Sequence, residues 1–181
     1  MKRSVVGLSG ASGAVDGIRF LDVLRARPDV ETHLVVSEAA KRTIGEETDR
    51  VAKDGEALAT RRYDSKDFGA TFALGSFKTD GMVIAPRSVK AADVTLKEGQ
   101  PLIMVVRKTP LHLGHMRALT ALAEMGAVIL PPTPAFDHQP KQIEDLVDHT
   151  LARVPDRLGL SQHLVPEWQG TDRCPDPARR S

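Results

Sequence analysis

Short runs that are apolar throughout alternate along the chain with longer stretches in which apolar residues recur at helical spacing. Ser4–Leu8, Thr32–Val36 ("THLVV"), Gly81–Ala85 ("GMVIA"), Leu102–Val106 ("LIMVV") and Ala127–Leu130 are the apolar runs, each predicted as a strand. Ala14–Arg27 gathers Ile18, Leu21, Val23 and Leu24 into an apolar side and predicts a helix. Glu38–Thr48, "HLGHMRALTALAEMG" closed by Gly126, and Ile143–Leu158 predict three more. Asp49–Asp80 carries no clear period. Strands without polar alternation are buried on both faces, and helices between them imply parallel pairing. The expected fold is a doubly wound α/β sheet without internal repeats. A single domain is expected over 1–170, with 171–181 a disordered tail, because "GTDRCPDPARRS" lacks apolar content.

In such sheets ligands sit outside the carboxyl ends of the strands, so the turns that follow the strands are where chemistry is sought. "GLSGASG" ends the first strand and opens the first helix. Gly7, Gly10 and Gly13 let the backbone approach a ligand, Ser9 and Ser12 add hydroxyls, and a helix N-terminus favours an anion. The spacing is not G-x-G-x-x-G and there is no Walker lysine, so a mononucleotide such as FMN suits it better than a dinucleotide or ATP. The same glycines also fit a tight turn with no ligand. Ser9 is no nucleophile of the G-x-S-x-G kind, because Ala11 stands at the last position.

Further donors follow the other strands. Ser37 directly follows the second strand, as a helix N-cap, a ligand contact or both. "APRSVK" offers Ser88 and Lys90, and "RKTPLHLGH" places Arg107 at a strand end. His112 and His115, three apart, suit capping and packing better than a metal, which needs further ligands. His33 and His138 belong to no motif. "PPTPAFDHQP" holds four prolines and is a pocket wall or a rigid connector.

Composition removes several classes. Lys+Arg is 25 against Asp+Glu 24, and there is one Tyr and one Trp, which argues against nucleic-acid binding and base stacking. Cys174 is the lone cysteine, so neither an intrachain disulfide nor a cysteine zinc site is available. The basic start "MKRSVVGLSG" is too short in apolar residues for a signal peptide, and no run nears the roughly 20 residues of a membrane span, so a cytoplasmic protein is expected.

Together "GLSGASGA", "ETHLVVSEAAKRTI", "GSFKTDGMVIAP", "AADVTLKEGQPLIMVVRKTPLHLGHMRALT", "GAVILPPTPAF" and "VPEWQG" resemble, in order and up to Gly170, the UbiX family of flavin prenyltransferases. The resemblance implies a flavodoxin-like, Rossmann-type three-layer sandwich that assembles into trimers and dodecamers and binds FMN between subunits. It implies transfer of a dimethylallyl group from dimethylallyl phosphate to flavin N5 and C6. The product, prenylated FMN, serves a UbiD-type decarboxylase. No metal is implied, and catalysis rests on positioning and phosphate stabilisation. Residue by residue, the flavin loop matches Gly10, Ala11 and Ser12, the flavin-contacting serine Ser37, the "P-C-S-x-K" serine Ser88 and the flavin-side arginine Arg107. On the prenyl-phosphate side the matches are Lys97 and Arg153. Trp168 matches the C-terminal tryptophan, and Glu47 an acidic residue near the site.

Departures cluster around the substrate. Asp16 and Asp137 stand where the family has tyrosines, Arg87 for a cysteine and Lys108 for a glutamate. A helix-length segment that carries a phosphate-binding arginine in the family is missing between Lys90 and Ala91. An aspartate near a substrate phosphate is repulsive unless a cation pairs with it, so Lys108 and Asp137 are expected to form an ion pair across the remodelled pocket. The alternatives to prenyl transfer are an FMN or prenyl-FMN binding protein without transfer, and an assembly protein without ligand. A flavin-dependent cysteine decarboxylase fits poorly, lacking the first-helix histidine and the "P-x-M-N" motif.

Overall fold

The computed structural model describes residues 1–65, 78–86, 99–136 and 138–165. Among them, strands β1 (Lys2–Leu8), β2 (Val30–Val36), β3 (Arg61–Asp64), β4 (Gly81–Ile84), β5 (Leu102–Val105) and β6 (Val128–Leu130) form one sheet in the order β3-β2-β1-β4-β5-β6. Every neighbouring pair is parallel. The helices are α1 (Ala14–Arg25), α2 (Glu38–Glu47), α3 (Ala52–Ala57), α4 (Leu113–Glu124), α5 (Ile143–Leu151) and α6 (Arg153–Arg157). This is the doubly wound arrangement that the apolar runs predict. Strand succession reverses between β1 and β4, and at such a reversal the flanking loops diverge and leave a crevice at the carboxyl ends.

Side chains alternate between the two faces of the sheet. Val6, Leu8, Leu34, Val83, Ile103 and Val105 face one core, closed by Ile18 and Leu21 of α1, Ile44 of α2 and Leu151 of α5. Val5, Met82, Ile84, Leu102 and Met104 face the other, closed by Leu119 and Leu122 of α4. Each fully buried aliphatic of this kind contributes about 1.5–3 kcal/mol.

Two readings of the sequence need correction. The mixed segment holds α3 and the edge strand β3, whose "RRYD" is largely exposed. An edge strand with charged residues resists pairing with other chains and shows no apolar alternation to read. The last helix is not continuous over Ile143–Leu158: it breaks at Ala152 into α5 and α6. Pro155 has no N–H to donate back to Leu151, which ends the first ladder.

Candidate functional site

The crevice is drawn together by contacts among three strand ends. Ala85 N–H donates to the Gly7 carbonyl at 3.0 Å, and Ser37 N–H to the Leu8 carbonyl at 3.1 Å. The Ser9 hydroxyl donates to the Pro86 carbonyl at 2.5 Å, tying the β1 turn to the β4 turn. Beneath them α1 packs against the seam between β1 and β4 at Gly17, where a Cβ would lie 2.4 Å from Leu8 Cδ2 and 2.6 Å from the Ala85 carbonyl oxygen.

The start of α1 is not open to an anion along its whole length. Gly13 and Ala14 N–H donate to Glu47 Oε2 at 2.7 and 2.8 Å, so a carboxylate from the end of α2 caps α1. Burial pushes the Glu47 carboxyl up, but hydrogen bonds from the Ser12 side chain and from the Gly13 and Ala14 N–H groups, with Arg107 nearby, hold it below its ordinary value. Among the described residues, no hydrogen bond takes the N–H of Gly10, Ala11 or Ser12. The donors left for a ligand are those of Gly10, Ala11 and Ser12, and the expectation that the helix N-terminus favours an anion is corrected at Gly13 and Ala14, where Glu47 already takes that place.

Arg107 follows β5 and reaches α1. Its Nη1 donates to Asp16 Oδ2 at 3.1 Å; the Asp16 side chain is 2% exposed and that of Arg107 39%. The arm of the arginine passes over Gly13, whose φ of 103° and missing side chain make room for it: a Cβ there would lie 2.1 Å from Arg107 Cδ. Burial raises the Asp16 carboxyl above its ordinary value, and the hydrogen bond and charge of Arg107 offset this only in part.

Ser37 is the N-cap of α2, accepting from Ala40 N–H at 3.1 Å, which leaves its own O–H to donate. His112 caps α4, accepting from Gly114 and His115 N–H, and the two imidazoles stack with centroids 3.6 Å apart. Lys108 is exposed, and burial, His112 and Lys108 together lower the His115 imidazole. Arg153 opens α6 with an exposed side chain and makes no ion pair among the described residues. Ser88, Lys97, Asp137, Arg87, Lys90, Trp168 and the tail lie outside the described residues, and with them the expected Lys108–Asp137 pair. The sequence reading missed the double cap by Glu47 and the partner of Arg107. Only the three-residue offset of Asp16 from Gly13 hinted at the second, placing a charge in the first helical turn.

Fold and crevice define a doubly wound α/β protein with a candidate ligand site at the topological switch point. No family model matches the chain. The flavin prenyltransferase UbiX of Escherichia coli K12 is 47% identical over 188 residues, 94% of this chain and 100% of that protein. The 181 residues of this chain cannot fill 188 aligned positions without a gap, which accords with a missing segment. A dodecameric FMN-dependent UbiX-like decarboxylase from E. coli O157:H7 superposes with a TM-score of 0.88 at 42% identity, covering 93% of this chain and 100% of that one. AnUbiX (PadA1), solved with FMN and dimethylallyl pyrophosphate, gives a TM-score of 0.88 at 38% identity, covering 94% and 99%. The chain belongs to the UbiX family of flavin prenyltransferases.

Proposed function

We infer that this protein joins a dimethylallyl group from dimethylallyl phosphate to FMN, producing prenylated FMN for a UbiD-type decarboxylase in the cytoplasm. The observation that carries this reading is the convergence of Ser37, the Gly10–Ser12 turn and Arg107 on one crevice mouth, through Leu8 and Gly13.

The residues present fit FMN. Uncommitted N–H groups at Gly10, Ala11 and Ser12, the Ser37 hydroxyl and the remaining guanidinium donors of Arg107 suit a ligand rich in phosphate and carbonyl oxygens. Ser88, matched by the family resemblance and outside the described residues, is assigned to the same set. When bound, FMN supplies the ring positions that receive the dimethylallyl group. Lys97 and Arg153 are assigned to the prenyl-phosphate side, where cations stabilise the leaving phosphate, with Lys108 and Asp137 assigned beside them as an ion pair. Among the described residues no helix is long and apolar enough to cross a membrane. Assembly as a homo-oligomer, trimer or dodecamer, is part of the same reading, supported by the dodecameric relative.

Anaerobic incubation with reduced FMN and dimethylallyl phosphate, read by mass spectrometry, tests it. A flavin heavier by the prenyl group supports the assignment. Bound FMN that stays unmodified beside an active family member overturns transfer and leaves the flavin-binding alternative.

A further inference from the structure

We propose that Asp16 is a positioning residue for the flavin, fixing the Arg107 guanidinium across Gly13 at the crevice mouth. This rests on the reading of Arg107 as a flavin-side residue. An arginine at a strand end has several freely rotating torsions and would sweep a wide arc in solvent. Here two features remove that freedom. Gly13 presents bare backbone, on which the Arg107 arm lies, and Asp16 Oδ2 takes Nη1 at 3.1 Å. The guanidinium reaches from the end of β5 across β4 to α1 and keeps its other N–H groups for a ligand.

A purely structural ion pair explains the arrangement less well. Burying a carboxylate beside a half-exposed cation adds little stability, and a neutral side chain of similar size would be cheaper to bury. The upward shift of the Asp16 carboxyl says the same. What the aspartate supplies is a fixed direction for a donor that a ligand must meet, which reduces the ordering cost of binding.

The test is a double-mutant cycle on FMN affinity, measured by quenching of flavin fluorescence, with the visible spectrum of bound flavin as a second readout. The proteins are wild type, Asp16→Ala, Asp16→Asn, Arg107→Ala and the double variant Asp16→Ala/Arg107→Ala, each checked for folding by circular dichroism. Asp16→Ala is expected to weaken FMN binding about five- to tenfold, with a shifted visible band, and to have no further effect beside Arg107→Ala. Asp16→Asn, which retains an acceptor, is expected to recover part of the loss. Wild-type affinity and spectrum in Asp16→Ala overturn the proposal, as does an equal loss in both backgrounds, which marks a merely structural role. Should Arg107→Ala itself bind FMN normally, the flavin reading of Arg107 fails and the proposal with it. A weakened Arg107→Ala beside an unaffected Asp16→Ala sinks the proposal alone. If Asp16→Ala does not fold, Asp16→Asn and Arg107→Lys run the same cycle.

Discussion

Asp16 Oδ2 and Arg107 Nη1 lie 3.1 Å apart across 91 residues of sequence, joining the first turn of α1 to the end of β5. The pair brackets the switch point between β1 and β4, at the mouth of the proposed ligand site.

Replacing Asp16 by Asn is expected to stabilise the fold. A carboxyl whose folded pKa is raised contributes stability below its unfolded value, near 3.8, that is lost as pH rises through the folded value. At neutral pH the ionised Asp16 is therefore a net cost, which Asp16→Asn removes. Urea denaturation at neutral pH checks this through a higher midpoint, with the gain shrinking under acid. A lower midpoint contradicts the sign.

Glu47 titrates the other way. Its lowered folded pKa means stability present above the ordinary 4.5 and lost as pH falls through the folded value. Glu47→Gln should flatten the acid limb of a stability–pH curve. Glu47→Ala, which strips the cap from Gly13 and Ala14, should cost about 1 kcal/mol at neutral pH, in the range of N-cap deletions. An unchanged acid limb in Glu47→Gln contradicts the double cap.

Gly13→Ala places a side chain at φ 103° and into the Arg107 arm. The strain is expected to lower stability by about 1–3 kcal/mol and to displace Arg107, weakening FMN as well. Thermal melting and flavin titration measure the two effects on the same sample. A variant that melts and binds like wild type would show that the arm does not lie there.

His33 is buried on β2, its Nδ1 2.8 Å from the Tyr63 hydroxyl and its Nε2 3.4 Å from Glu31. Burial lowers the imidazole despite Glu31, so stability is present above the ordinary 6.5 and lost as pH falls below it. Wild type should lose more of its urea midpoint than His33→Asn between about pH 7.5 and 5.5. Equal losses would contradict it.

The strands of the core were legible because parallel strands buried on both faces leave unbroken apolar runs, as Leu102–Val106 does. β3 was not, because an exposed edge strand such as Arg61–Asp64 has neither apolar content nor alternation. The break at Ala152 was legible in principle from Pro155, but Leu151, Val154 and Leu158 continue the apolar side of the helix through it. At the site, the Gly10–Ser12 turn, Ser37 and Arg107 follow from strand ends and motif resemblance. The Glu47 cap and the Asp16–Arg107 pair do not. Each joins residues tens of positions apart through a geometry that only the packed α1 creates.

The most direct test of the account is a crystal structure of the chain with FMN. The account predicts the flavin outside the carboxyl ends of β1 and β4, hydrogen-bonded to the Gly10–Ser12 turn, Ser37 and Arg107. FMN bound elsewhere, with Arg107 turned away from it, would contradict the account.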